Sequence, residues 1–295
     1  MEIKNNFSYS GQLFILLAAV LWGTTGTSQA LAPAAGTPQS IGALRLLVGG
    51  LGLALYALSK NPNMFRQIGF VSALPAGFFV ACYQIFFFWG VSLTGVAVGT
   101  MVAIGSAPMF AGIIDTVWFR KPPPVSWLIS TLLAVSGCLI LLGFSGSIQI
   151  EPVGILLAAG AGLSYALYSF LMKKLLIGRA PESVAALVFC IGALFLLPFL
   201  FTADLTWVWT AQGMIVVIHL GLLATSLSYY LFCRGLEKIP VSTVVTLSLA
   251  EPFTATILGI IVLHEALDVT GWIGLALILS GLVLLGVPMP RRSLR

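Results

Sequence analysis

The sequence predicts an all-α integral membrane protein of ten transmembrane helices, arranged as two inverted five-helix repeats. Three observations predict this. With 59% hydrophobic and 8% charged residues, the 295-residue chain cannot bury its apolar content as a soluble globule. Its apolar runs are long enough to cross a hydrocarbon core of about 30 Å and show no dyad alternation, so they are helices and not barrel strands. The pattern of the first half also returns in the second, 144 residues later: Pro108 falls under Pro252, Ala111 under Ala255 and Ile113 under Ile257.

Apolar runs bounded by Gly, Pro and charged residues give spans at 11–31, 38–59, 68–91, 95–119, 126–145, 153–175, 183–202, 211–234, 240–263 and 270–288. Lys4 before the first run and Ala30-Leu31-Ala32 after it imitate a cleaved leader. Pro33 would directly follow the cut, and the run is long enough to span, so a retained first helix is expected. The connections are mostly short, such as AAGTP at 34–38 and RKPPP at 120–124.

Charge sets the expected orientation. If the N-terminus is cytoplasmic and the spans alternate, the inner segments hold Lys4, Lys60, Arg66, Arg120, Lys121, Lys173, Lys174, Arg179, Arg234, Lys238, Arg291, Arg292 and Arg295. Those are thirteen of the fourteen basic residues; the outer segments hold only Glu151, Asp204, Glu265 and Asp268. The asymmetry predicts both termini in the cytoplasm. It also assigns the net charge of +5 to membrane topology, leaving no reason to expect a nucleic-acid partner.

The repeat divides the chain at 11–145 and 153–288. Val125 matches Val269, Ser136-Gly137 matches Ser280-Gly281 and Leu141 matches Leu285 at the same offset. In the first spans of the halves the shift is 143, pairing Gly11 with Gly154 and Trp22 with Tyr165. Five spans per half is an odd number, so the halves are inverted. The fourth span accordingly ends on Arg120-Lys121, inside, and its partner on His264-Glu265, outside.

Several residues carry candidate chemistry. Glu251 lies near the middle of the ninth span, where a carboxylate costs roughly 2.5–3.5 kcal/mol to insert, which makes it a functional candidate. It can serve as a proton-coupling group, releasing its proton as its hydration changes, or bind a substrate amine. Pro252 withholds an N–H and clashes with the carbonyl four residues back, predicting a helix break beside the carboxylate, with Pro108 as its counterpart. Paired Pro-interrupted spans point to a transporter binding site. Ser248 extends a polar stripe on the same face. Arg45, about seven residues into the second span, is placed to hold a substrate carboxylate or pair with Glu251, and His219 to relay protons. Asp115, five residues before Arg120, reads as a solvated or paired interfacial charge.

A duplicated stripe is the candidate cavity lining: Trp22, Thr25 and Gln29 in the first span, Tyr165, Tyr168 and Ser169 in the sixth, with Gln84 from the third. Trp207 and Trp209 read as interface anchors, and Gly95 with Gly99 as a helix-packing contact.

The sequence also excludes. No G-x-x-x-x-G-K-[ST] occurs, so the chain is no ATP-driven pump. Cys82, Cys138, Cys190 and Cys233 lie in apolar runs without a C-x-x-C or a neighbouring His, so neither a metal site nor a disulfide framework is expected; no cofactor is expected either. Gly143-Phe144-Ser145-Gly146 fits the G-x-S-G of membrane proteases, with His219 as a conceivable base. That Ser closes an apolar span at its outer rim, and such proteases lack an inverted repeat.

AAVLWGTTG at 18–26, Arg45, AEPFTATILGIIVLHE at 250–265 and SGLVLLG at 280–286 resemble the EamA-type family of the drug/metabolite transporter superfamily, over nearly the whole chain. The resemblance implies an exporter of a small metabolite, often an amino acid or a derivative, working across the bacterial inner membrane at the expense of the proton gradient. Its partners would be a small-molecule substrate, protons and the lipid bilayer. Lys121 departs from the family, which often carries an acidic residue after the fourth span, so only Glu265 keeps that feature. A channel is a rival reading, but isolated polar groups at one depth suit alternating access better than a continuous polar path. A lipid or hydrophobic-metabolite flippase is the other reading on the same scaffold.

Overall fold

The structure is a computed structural model describing residues 8–33, 36–63, 68–120, 122–142, 151–264 and 266–286. Lys121, Glu265, the 143–146 motif, and the basic residues before 8 and after 286 lie outside the described residues. Among those described, ten helices follow one another: α1 Tyr9–Ala30, α2 Pro38–Lys60, α3 Phe70–Thr94, α4 Val96–Phe119 and α5 Val125–Leu142 in the first half. The second half holds α6 Pro152–Leu175, α7 Pro181–Phe201, α8 Ala211–Leu236, α9 Val241–Val262 and α10 Val269–Gly286. Nine are long and apolar enough to cross a membrane, and α5 is the shorter apolar tenth.

Local chemistry sets the helix ends. Ser8 caps α1 by accepting from Gly11 N, and Thr37 caps α2 by accepting from Ser40 N. Pro38, Pro152 and Pro181 each open a helix, where the missing N–H costs nothing. Gly95, at φ 82°, is the one-residue joint between α3 and α4, a conformation that needs no Cβ in the way.

Packing obeys the repeat. α3 lies on α6 as α1 lies on α8; α4 meets α6 as α9 meets α1; α3 meets α7 as α8 meets α2. Three pairs are their own counterparts: α2 with α7, α4 with α9, and α5 with α10. The α5–α10 crossing shows the pseudo-two-fold residue by residue. A Cβ on Gly137 would fall 2.5 Å from Gly274 O, and one on Gly281 would fall 2.6 Å from Ser130 O; Gly281 and Ser130 lie at the 144-residue offset from Gly137 and Gly274. Small residues here let backbones touch where lipid supplies no hydrophobic drive.

Two spans depart from regular helix. α9 is interrupted at Ser248–Leu249, giving α9a Val241–Leu247 and α9b Ala250–Val262. The break falls at the residue whose carbonyl Pro252 would crowd. In α4, by contrast, the expected break at Pro108 is absent: the helix runs through it from Val96 to Phe119. Pro108 lacks the N–H for one helical bond, yet the helix continues on both sides of it. α8 carries a π-helical segment, His219–Leu227, that the apolar pattern does not reveal. There Thr225 Oγ1 and Ser226 Oγ donate to carbonyls five residues back, on Leu220 and Gly221.

Trp207 corrects the anchor reading. It is 3% exposed, on a 3-10 turn (Thr206–Trp209) folded under Ile41, Leu44 and Leu220, while Trp209 is 80% exposed. An apolar pocket between α2 and α8 takes the ring of one and leaves the other outside.

Candidate functional site

The interruption in α9 builds the site. Stopping the helix at Leu247 leaves Ser248 as its C-terminal residue, and Glu251 N closes the turn on Ser248 O at 2.9 Å. Glu251 therefore enters the first turn of α9b. Three bonds fix the α9a side: Trp127 Nε1 donates to Thr246 Oγ1 at 3.0 Å, Thr131 Oγ1 lies 3.0 Å from the same oxygen, and Tyr165 donates to Ser248 Oγ at 2.6 Å.

Around the break lies a small, partly open cavity. α9 contributes Val245, Ser248, Leu249, Glu251 and Pro252; α4 contributes Ala103, Ile104 and Ala107; Tyr83 and Tyr165 close it from α3 and α6. Ile104 and Ala107 are the 144-residue counterparts of Ser248 and Glu251, so the cavity sits on the pseudo-two-fold between α4 and α9. Ser248 and Glu251 thus face their apolar counterparts Ile104 and Ala107 across it. Among the described residues no group hydrogen-bonds the Glu251 carboxylate, and no base lies within 4.0 Å of it.

Arg45 is held elsewhere. Its Nε donates to Thr225 Oγ1 at 3.3 Å and its Nη2 to Ala224 O at 3.4 Å, both in the π segment of α8. Its charge still reaches Glu251 and Tyr229 across the interior. A direct Arg45–Glu251 pair is therefore not present; Arg45 spends its donors on a carbonyl and a hydroxyl that the π geometry offers. His219 opens that segment and shares a 2.9 Å hydrogen bond with Thr24 Oγ1, tying α8 to α1 away from the cavity lining.

The duplicated stripe divides. Tyr165 lines the cavity, and Tyr168 packs behind it, tilted, at 5.2 Å and 2% exposed. Ser169 is fully buried and donates to Tyr165 O. Trp22 does not line the cavity: it is 5% exposed, donates to Ser228 Oγ at 2.9 Å and packs on Tyr229 and Phe232 at 4.9 and 5.5 Å. Each half thus presses an aromatic from its first helix onto the counterpart helix, Trp22 on α8 and Tyr165 on Tyr83 of α3 at 5.9 Å. Only the second contact has space beside it. Thr25 Oγ1 is buried without a partner among the described residues, and Gln29 is half-buried further along α1. Gln84 opens on a separate cavity with Gln39, Phe88 and Trp89, because it turns away from its neighbour Tyr83 around α3.

Of the two expected alternatives for Asp115, solvated or paired, the structure shows the paired one. Asp115 is 4% exposed, and its Oδ2 accepts from Ser242 N at 2.8 Å, capping α9a from α4. Sequence reasoning also missed Thr246 and the π segment. The hydroxyls of VSTVVTLS at 241–248 were the available signal for the first; nothing in the apolar run signals the second.

Comparison with known proteins decides the family. Residues 9–143 and 152–287 each match the EamA-like transporter family, once per half. The chain belongs to that family. It is 42% identical over 281 residues to the uncharacterized transporter YwfM of Bacillus subtilis, covering 95% of each chain. It is 29% identical over 273 residues to the threonine/homoserine exporter RhtA of Escherichia coli K12, covering 86% of this chain and 84% of that one. A crystal structure 22% identical in sequence superposes with a TM-score of 0.82, over 93% of this chain and 96% of that chain, and shares the fold. As an EamA-family transporter, the protein is a multi-pass membrane protein that handles a small-molecule substrate.

Proposed function

We propose that this EamA-family protein exports a small amino-acid-like metabolite across the bacterial inner membrane by proton-coupled alternating access, with both termini cytoplasmic. One observation carries the reading: an ionisable group without a protein partner, Glu251, faces a cavity on the two-fold axis beside a broken helix. A carboxylate there has no direct protein partner among the described residues, and a proton or a cationic group of the solute can fill that place. The symmetry supports alternating access, because exchanging the conformations of two inverted halves would move the opening from one face to the other around a fixed site. The amino-acid class rests on the exporter RhtA and on the presence of one acid, Glu251, and one base, Arg45, in the same interior.

The test compares metabolites in cells and medium with and without the protein, then measures uptake into proteoliposomes under an imposed pH gradient. Accumulation of the solute that responds to the gradient supports the reading. Equilibration without accumulation would support a channel, and movement of lipid alone a flippase.

A further inference from the structure

At one end of the bundle, the loop Glu237–Pro240 joining α8 to α9a is held by two charged side chains from other helices. Lys173, near the end of α6, donates its ammonium to Leu236 O at 2.6 Å and Ile239 O at 2.5 Å. Asp115, near the end of α4, accepts from Ser242 N on the far side of the loop at 2.8 Å. The two charges also act on each other, and Lys173 on Glu237. Charges in a membrane bundle are costly; Asp115 is buried and Lys173 half-buried. A neutral cap and a neutral donor would hold a permanent loop at lower cost.

Among the described residues the opposite face has no such arrangement. The repeat puts Gly259 of α9b opposite Asp115 at the 144-residue offset and Ala30 of α1 opposite Lys173 at 143. The helix start equivalent to that of α9a is the start of α4, whose N-cap Gly95 has no side-chain bond. Packing follows the same asymmetry. Between the loop and the cavity, Val241 to Ala250 are buried except Thr243; beyond it, Glu251 to Leu258 are all half-buried. The chain is closed on the loop side and looser on the other.

We propose that Asp115 and Lys173 form a one-sided latch that holds the transporter closed at the α8–α9 loop and must release in each cycle. This rests on the alternating-access reading above. α9a is the lever: its start is held by Asp115, and its end is the break that carries Ser248 and positions Glu251. Both residues act as positioning groups and neither touches the cavity.

The test uses the full chain in liposomes, with its four cysteines replaced and a single reporter, Ala103→Cys, in the cavity wall. A membrane-impermeant thiol reagent is applied from each side. In the parent, labelling should favour the side opposite the loop. In Asp115→Ala, and separately in Lys173→Met, labelling from the loop side should rise about tenfold, the equivalent of one lost hydrogen bond to a charged group. Unchanged side preference in well-inserted variants overturns the latch. So does loss of folded protein in both variants, because a contact that opens in every cycle must be dispensable to the fold. If the parent reporter never becomes reachable from the loop side while solute is moving, alternating access itself fails. If the parent switches sides and the variants do not alter the balance, only the latch fails.

Discussion

Tyr165 donates a 2.6 Å hydrogen bond to Ser248 Oγ, so a side chain of the first helix of the second half holds the point where α9 is interrupted. Ser248 Oγ in turn donates to Val244 O at 3.0 Å, one turn back. The pair fixes both the end of α9a and the wall of the cavity. Tyr165→Phe keeps the ring contacts with Tyr83 and Tyr168 and removes only the hydroxyl. It should cost about 1 kcal/mol of stability, leave membrane abundance unchanged and slow transport severalfold. Ser248→Ala should do the same, and the double variant should be no worse than either single one, because both remove one bond. Additive losses of transport rate in the double variant would show that the two residues act separately.

Trp22 behaves differently although it is the sequence counterpart of Tyr165. Fully packed on Tyr229 and Phe232, it is a core residue between α1 and α8. Trp22→Ala should cost about 3–5 kcal/mol and lower the amount of inserted protein. Trp22→Phe retains most of the packing, loses the bond to Ser228, and should transport near the parental rate. Thermal midpoints in detergent alongside membrane abundance check both. A normal midpoint for Trp22→Ala would return the residue to the cavity lining.

These two residues also show how far the sequence was legible. Ten spans, the five-plus-five division and the break beside Pro252 follow from apolar length, the 144-residue offset and the geometry of proline, all of which are local or periodic. What the offset does not carry is which of two equivalent positions faces space. Trp22 and Tyr165 obey the same repeat, yet only one has a cavity beside it, because the halves differ in the residues they pack against. Pro108 and Pro252 diverge likewise: the Trp127 indole and Thr131 hydroxyl of α5 and the Tyr165 hydroxyl of α6 hold the segment before the interruption, and α4 runs unbroken through Pro108. Arg45 and Asp115 were recognised as unusual, but their partners lie on distant helices, on the π segment of α8 and the start of α9a, beyond the reach of any spacing rule.

Outside the membrane, Asp268 caps α10. Its Oδ1 accepts from Gly271 N at 2.8 Å and from the Thr270 hydroxyl, and these bonds hold its carboxyl below the usual carboxylate range, the backbone bond contributing most. A depressed folded-state pKa contributes stability that is fully present above the unfolded value, about 3.9, and is lost as pH falls through the folded one. The thermal midpoint should therefore drop at acid pH. Asp268→Asn, which keeps a capping oxygen but cannot titrate there, should show a smaller acid drop than the parent. An identical acid profile for both would remove Asp268 from the account.

The orientation is testable without any substrate. Cysteine labelling or reporter fusions should place residues 60–67, 120–124 and 173–182 in the cytoplasm and 146–152 and 203–210 outside, as the distribution of basic residues requires. Finding 146–152 in the cytoplasm would break the inverted orientation, and with it the assignment of the α8–α9 loop to the inner face.

The decisive variant is Glu251→Gln. A coupling group must change charge between the states open to the two sides, since a solute can be tied to a proton gradient only through a site that loads and unloads a proton in each cycle. Glu251 has the placement for this: cavity-facing, in the first turn of α9b, unpaired among the described residues, with Arg45 engaged on α8. Glutamine preserves shape and hydrogen-bonding capacity and fixes the neutral state. The variant should insert at the parental level and keep solute exchange in the absence of a gradient, but lose accumulation driven by a pH gradient. Glu251→Asp, one methylene shorter beside Pro252, should still couple, with a displaced pH profile. Proteoliposome exchange and gradient-driven uptake, measured side by side, separate binding from coupling. If Glu251→Gln concentrates solute as the parent does, the carboxylate is structural, and Arg45 or His219 becomes the group to test next.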